Sequence, residues 1–396
     1  MVETLQLTVI GKVFNPNWGK RLSLNKTLHE YFECVRWHLS FDSSSKSWLH
    51  KNAYEEAKQK FDLKTALIQS ARDKAVEILK SFRKMKKKHS VLKLKRVSIR
   101  FDSRSYSFAK TDNELTAYWL SLSLEGRGRT SFPIVFGERE NIVEKVFDGK
   151  ATLRSVELRK REGIWYAHFN LEKKVEVPDD PETVIGIDRG EKNFAVAVAI
   201  EKNAPHKPRK GQFWKGNEIK ALKGKYSHLR RNLGRKKLPQ LVSKIKDTLK
   251  KKTDHLLHVV ANEIVAYASQ FEKPIIAFED LTDLRKNFGK TKKSKMLNRR
   301  MNSLPFRKLQ TYVEYKALRE GIKTAYVDPK HTSQECHRCG KRNKIKFART
   351  YTCSCGLNYD RDLNASVNIA HRITSSMGWG KSGLPEQPNE VTVAKT

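Results

Sequence analysis

The sequence predicts a multidomain α/β protein: a small antiparallel β-barrel interrupted by helices, followed by an α/β domain that carries a metal-binding insert. Three features of the 396 residues point there. In the first half, short segments alternate apolar and polar residues with period two, and one long stretch of helical period breaks them. After the turn-rich PDDPE at 178–182, apolar strands alternate with amphipathic helices. Near the end, four of the five cysteines fall between 336 and 355 in two close pairs.

Leu5, Leu7 and Val9 alternate with Thr4, Gln6 and Thr8, which makes the opening residues a half-buried strand. From Asn25 the period changes: Leu28, Phe32, Val35 and Leu39, then Leu67, Ala71, Ala75, Ile78, Leu79 and Phe82, predict helices over 25–88, ending in the basic run FRKMKKKH. Cys34 sits within an apolar helical face and reads as a core thiol. Alternation returns in VLKLKRVSIRF (91–101), AYWLSLSLEG (117–126) and 151–177, the last predicted to be a hairpin turning at Glu162-Gly163. A barrel with basic and aromatic faces suits either a structural role or nucleic-acid binding. Tyr106, Phe108, Tyr118 and Trp119 are the aromatics to watch, as base-stacking surfaces or as core. Beyond 182 come strands TVIGIDRG and FAVAVAI, a helix through Leu249, Leu256, Val260, Ile264 and Ala268, strand PIIAFED (274–280), a helix around 306–320 and strand KTAYVDP (323–329). Strand hairpin, helix, strand, helix, strand is the element order of a ribonuclease-H-type fold. The Gly- and Pro-punctuated end of the chain is expected to be a disordered tail.

Lysine and arginine number 80 against 43 acids, a formal charge of +37 that points to a polyanionic partner, nucleic acid first. The cysteine usage excludes a secreted disulfide framework. The opening residues alternate instead of running apolar, so no secretory leader is expected, and no stretch approaches the roughly 18 apolar residues of a membrane span. A cytoplasmic, nucleoid-associated protein with no membrane partner is the expectation.

Cys336-x-x-Cys339-Gly and Cys353-x-Cys355-Gly, separated by thirteen residues, supply four thiolates for one tetrahedral ion. Each pair with its glycine predicts a tight turn that aims two sulfurs at one point, and Zn²⁺ favours such soft ligands. A closed four-cysteine site is structural, so no chemistry is assigned to it. His337, inside the first pair, is a competing ligand that a full set of cysteines leaves unused.

Asp188 and Glu279 end strands, and Asp362 begins the helix after the knuckle. Two strand ends and a helix start can converge on one sheet edge, where magnesium, which requires hard oxygen ligands, would serve phosphodiester hydrolysis. Each acid has a competitor or a plainer role. Asp188 also suits a turn cap, Asp280 and Asp283 compete with Glu279, and Asp360 competes with Asp362 or caps its helix.

Together GIDRGEKNFAVAV, AFEDLTDL, TSQECHRCG and YDRDLNASVNIA resemble the TnpB family, RNA-guided nucleases of insertion sequences related to type V CRISPR effectors. These motifs cover 183–372; the first half matches the family only in layout. The resemblance implies a RuvC-like nuclease domain at 181–330, completed by a final helix at 359–375, with a zinc ribbon for target nucleic acid at 331–358. It also implies a wedge barrel at 1–15 and 91–180 and a helical recognition domain at 16–90, which leaves 376–396 as tail. Asp188, Glu279 and Asp362 become the catalytic acids, Asp362 because Leu363-Asn364-Ala365 follows it as in the family's D-x-N-A pattern. Two magnesium ions would activate water and stabilise the leaving 3′ oxygen. Cys336, Cys339, Cys353 and Cys355 match the zinc ligands, and Arg349 and Arg361 are strand-contacting or transition-state arginines. A guide RNA from a transposon end and a target duplex opened to single strand, cut beside a short adjacent motif, are the implied partners, with a monomer favoured. The charge then serves to hold phosphate backbones. Lys86, Lys87, Lys88, Arg96, Arg230 and Arg231, from the runs 83–88, 93–96 and 223–237, are the candidate contacts, with a further run at 286–300. The alternatives are a nuclease-silent guided repressor, a compact type V effector and a conventional transposase.

Overall fold

The computed structural model describes residues 1–85, 91–113, 116–126, 128–280, 304–343 and 349–379. The expected contacts Lys86, Lys87 and Lys88, the basic run 286–300 and positions 380–396 of the expected tail lie outside the described residues. The chain forms two compact units, one from Thr4 to Lys174, the other from Met1–Glu3 together with Val175 onward.

In the first unit, strands β1 (Val2–Val13), β2 (Ile99–Asp102), β3 (Tyr106–Lys110), β4 (Tyr118–Leu122), β5 (Thr130–Val135), β6 (Thr152–Arg161) and β7 (Ile164–Glu176) make one sheet in the order β2-β6-β7-β1-β5-β4-β3. β2 and β3 stand at the two ends of that order, yet only the turn 103–105 separates them, with the Ser105 N–H bonded to the Asp102 carbonyl at 2.9 Å. Both edges are thereby drawn together into a barrel. The β6–β7 hairpin turns where expected, because Glu162 (φ 51°) and Gly163 (φ 81°) both occupy the left-handed region that a two-residue turn between twisted strands requires. The strand expected at 91–101 is confined to Ile99–Asp102: Leu92 and Leu94 are half-buried, but no ladder partner engages 91–98 among the described residues.

Helices α1 (Trp18–Ser40), α2 (Lys46–Lys60) and α3 (Thr65–Lys84) lie between β1 and β2, and α4 (Glu140–Phe147) follows β5. In α3 the predicted stripe is the buried one, through Leu67, Ala71, Ala75 and Leu79. In α1 the deepest face is Leu24, Tyr31, Cys34 and Val35, offset from the expected stripe, whose Leu28 and Leu39 are half-buried. Tyr31 can occupy the core because its hydroxyl has a partner there, Ser70 Oγ at 2.9 Å.

The second unit is built on β8 (Thr183–Asp188), β9 (Asn193–Glu201), β10 (Gln212–Lys215), β11 (Pro274–Glu279) and β12 (Lys323–Val327), ordered β10-β9-β8-β11-β12. β10, β9 and β8 pair antiparallel, while β8, β11 and β12 pair parallel. Helices α5 (Asn217–Arg235) and α6 (Pro239–Ala268) join β10 to β11, α7 (Phe306–Arg319) precedes β12, and α8 (Arg361–Ser376) ends the fold. β8 and β9 are continuously apolar because both faces are covered. Ile185, Ile187, Ile276 and Phe278 pack with Leu257, Ile264 and Val313 of α6 and α7. Val184, Val196, Ile275 and Ala277 pack with Leu363, Val367 and Ala370 of α8. Trp379 is buried in this second cluster, so the chain stays packed four residues into the segment 376–396 that composition marks as tail. Among the described residues no helix is long and apolar enough to cross a membrane.

Candidate functional site

β8 and β11 run parallel with Ile187 opposite Phe278, so the next residues, Asp188 and Glu279, end adjacent strands on one sheet edge. Strand alternation decides the faces. Asp188 falls with Val184 and Gly186, Glu279 with Ile275 and Ala277, all on the side covered by α8. Asp280 falls on the opposite side, and Asp283, the other competitor, lies outside the described residues.

Helix α8 reaches that edge by lying against β8 without an intervening side chain. A Cβ at Gly186 would stand 2.1 Å from the Ser366 carbonyl and 2.7 Å from the Ala370 nitrogen, so only glycine admits this approach. Ser366 Oγ bonds the Val196 carbonyl at 2.9 Å, fixing the helix along the sheet. At its head Asp360 is the N-cap, accepting from the N–H groups of Asp362 at 2.8 Å and Leu363 at 3.2 Å. Asp362 is thereby free to face the strand ends, where it is 5% exposed and accepts from Asn193 Nδ2 at 2.9 Å.

Burial first, and then the charges of Glu279 and Asp362, raise the Asp188 carboxyl well above its ordinary range. Burial likewise raises Glu279, opposed by a hydrogen bond from Thr332 and the charges of Arg189 and Arg372. Burial disfavours the charged forms of these hard oxygen donors, and a divalent cation, which would favour them, fits the donor set. Arg189 does not neutralise the carboxylates by direct pairing. Its guanidinium donates to the Glu279 backbone carbonyl at 2.7 Å and to Gln310 Oε1 at 2.5 Å, and burial lowers it to about 10.

The second candidate site lies directly before α8. A hairpin of β13 (Thr350–Thr352) and β14 (Asn358–Asp360) carries the second cysteine pair, and Tyr351 and Leu357 pack with the cysteines. Gly340 (φ 74°) and Gly356 (φ 84°) close the two turns in the left-handed region, as the Cys-Gly pattern predicts. Cys336 and Cys355 Sγ are 3.7 Å apart and Cys339 and Cys353 Sγ 3.5 Å, near the roughly 3.8 Å edge of a tetrahedron with 2.3 Å zinc–sulfur bonds. All four sulfurs lie within 4.8 Å of one another, the one such group of metal-ligating side chains among the described residues. Burial raises the Cys336 thiol, whereas at Cys353 it is outweighed by hydrogen bonds from the Cys355 N–H and from Asn343, which hold the thiol down to about 6. His337 points away from this set, its Nδ1 2.9 Å from Asn364 Oδ1, and burial lowers it to about 4.

Arg349 and Arg361 meet Asp362 itself, at 3.4 Å and 3.7 Å. Arg96, Arg230 and Arg231 are exposed, the last two on α5. Tyr106 and Tyr118 are buried and Phe108 packs with Tyr118, Phe136 and Phe169, which removes three of the four aromatics from base stacking. Cys34 is fully buried, and burial pushes its thiol up to about 12. Sequence reasoning did not find Asn193, Thr332 or Arg189. The signal was present as Arg189 and Asn193 inside the largely apolar GIDRGEKNFAVAV, whereas Thr332 sits in the polar TSQECHRCG, where nothing sets it apart from its neighbours.

A family model described as Cas12f1-like, TNB domain, matches residues 306–369. A TnpB-like protein of Methanocaldococcus jannaschii is 31% identical over 204 residues, 50% of this chain and 71% of that protein. A CRISPR-associated endodeoxyribonuclease Cas12f2 of a Micrarchaeota archaeon is 30% identical over 217 residues, and a Cas12f1 of Sulfoacidibacillus thermotolerans 28% over 258. The matches cover 39% and 57% of those two proteins, about half their length. A cryo-EM structure of a Cas12f1–sgRNA–target DNA complex shares the fold, with a TM-score of 0.68 over 89% of this chain and 83% of that one at 17% identity. With the motif order, the cysteine cluster and the extent of the archaeal match in agreement, the chain belongs to the TnpB family, related to the type V effectors.

Proposed function

We propose that this protein is an RNA-guided DNA endonuclease of the TnpB type, its second unit a RuvC-like nuclease domain with a zinc ribbon and its first a wedge barrel with a helical recognition insert. The observation that carries the reading is the convergence of Asp188, Glu279 and Asp362, from two parallel strand ends and one helix head, at a buried edge in a chain of formal charge +37. Magnesium bound by these carboxylates would supply an activated water and stabilise the leaving 3′ oxygen. The chain's own residues arrange the acids: Asp360 aims Asp362 by capping its helix, Asn193 holds one oxygen of Asp362, and Thr332 holds one of Glu279. Arg349 and Arg361, beside Asp362, are placed to meet a phosphate that enters the site. Zinc in the four cysteines would fix the chain that leads into α8. Guide RNA selects the target by base pairing, a short adjacent motif licenses opening of the duplex, and the protein's cations hold backbones.

The test is to purify the protein with its RNA, sequence that RNA, and measure cleavage of matched and unmatched plasmids. Matched plasmid alone should be cut, with magnesium required. Asp188→Ala and Asp362→Ala should lower the cleavage rate about a thousandfold or more while RNA and target binding persist. Cleavage undiminished in both variants would overturn the site assignment, and strand transfer of transposon ends without RNA would favour a transposase.

A further inference from the structure

Two stretches of the quoted motifs are so far unexplained apart from the hydroxyl of Thr332: TSQE ahead of Cys336, and the two asparagines of NASVN behind Asp362. In the fold they meet. Asn364 and Asn368, one turn apart on α8, are 0% and 7% exposed. Asn364 Nδ2 donates to the Glu335 carbonyl at 2.7 Å, and its Oδ1 accepts from the His337 N–H at 3.0 Å. Asn368 Nδ2 reaches the Thr332 carbonyl at 2.8 Å and the Glu335 carbonyl at 2.7 Å. Thr332, 3% exposed, donates its hydroxyl to the Glu279 carboxylate.

The chain from Thr332 to His337 is therefore gripped by the helix that carries Asp362. One end of the gripped segment holds Glu279 and the other contains Cys336. These backbone groups are buried and find their partners in the amides of α8, so sliding the segment would leave several polar groups unsatisfied at once. A carboxylate with one oxygen tied to a fixed hydroxyl also presents its other oxygen in a set direction, the usual work of a residue behind a metal ligand.

We propose that Thr332, Asn364 and Asn368 are positioning residues, a clamp that sets Glu279 relative to Asp362 and is kept in register by the cysteine cluster rooted at Cys336. The inference rests on the nuclease reading of the acids. Its test uses Mn²⁺ as probe, by calorimetry on the RNA-loaded protein with Asp188→Ala as background, alongside cleavage kinetics on matched plasmid. Thr332→Val, which keeps the shape and removes the donor, should weaken Mn²⁺ binding and lower kcat, each about 10- to 100-fold, with KM for target unchanged. Thr332→Ser, which restores the hydroxyl, should stay within about threefold of the parent on both measures. Asn368→Ala should move Mn²⁺ affinity in the same direction as Thr332→Val and also release zinc to a chelator faster than the parent. Thr332→Val matching the parent, or Thr332→Ser failing as badly as Thr332→Val, would overturn the clamp while an active parent leaves the nuclease reading standing. A parent that does not cleave but whose Mn²⁺ affinity follows the Val and Ser pattern would overturn the nuclease reading and keep the clamp. A parent that binds no Mn²⁺ above background overturns both.

Discussion

Asp360 and Asp362 stand two residues apart at the head of α8, and their surroundings give them different work. Asp360 spends one oxygen on two backbone N–H groups, whereas Asp362 lies beside Asp188 at the end of β8, with one oxygen held by Asn193 at the start of β9. Asp360→Ala should cost about 1 kcal/mol through the lost cap, whereas Asp360→Asn, an equally good cap, should cost a few tenths; thermal melts of both variants distinguish them. In the other unit Glu157, 8% exposed, accepts from Ser98 Oγ at 2.7 Å, Lys74 Nζ at 2.9 Å and Arg100 Nε at 3.1 Å. Burial disfavours its charge, but these donors outweigh burial and hold the carboxyl down to about 2, against an ordinary 4.5. A carboxyl depressed by folding stabilises the native state fully above its unfolded pKa and loses that contribution as pH falls toward the folded one. Denaturant titrations should therefore show a fall in stability from pH 4.5 toward 2 that Glu157→Gln flattens. At neutral pH that variant should cost about 2 kcal/mol, because it leaves the buried Ser98 hydroxyl and the part-exposed Lys74 and Arg100 cations facing a neutral amide.

At the scale of elements, the seam between β8 and α8 sets the separation of the acids. Gly186 lets the two backbones touch, and neither the Ser366 carbonyl nor the Ala370 nitrogen can swing aside as a side-chain tip would. Gly186→Ala should destabilise by about 3 kcal/mol or more and displace α8. Gly224, within α5, has nothing within 4 Å of its would-be Cβ, so Gly224→Ala should be neutral or stabilise by up to about 1 kcal/mol. Melting both variants in parallel separates crowding at the seam from the general effect of removing a glycine. The knuckle belongs to the same seam: its exit strand β14 ends at Asp360, the cap of α8, so a rigid metal site would fix where that helix starts.

For the whole molecule, the excess of 80 basic over 43 acidic residues exceeds what any one site requires. If the cations hold phosphate backbones, the apparent affinity for RNA should fall by about a thousandfold or more between 50 and 200 mM salt, with a linear log–log slope. Filter binding across salt concentrations measures it. Substituting both Arg230 and Arg231, exposed on α5, with alanine should reduce that slope by about one to two if they contact phosphate and leave it unchanged if they are merely solvated.

Local chemistry was legible before any coordinates. Four cysteines with their glycines, the hairpin at Glu162-Gly163, strands such as 183–188 and 274–279, and the buried face of α3 are each written within a few consecutive residues, where period and spacing carry the physics. Short elements with weak periodicity escaped: β3, β5 and β10 each have six residues or fewer and exist because a neighbouring strand offers a ladder. Trp379 reads as part of a polar tail until the α8 cluster gives it a place to bury. The choice of Glu279 over Asp280 follows from a strand register, and the grip of Asn364 and Asn368 on the root of the cysteine cluster joins residues 27 to 36 positions apart. Composition and spacing thus name the groups capable of the chemistry. Which of them meet depends on pairings across long stretches of chain, where the buried polar groups leave one packing in which all are satisfied.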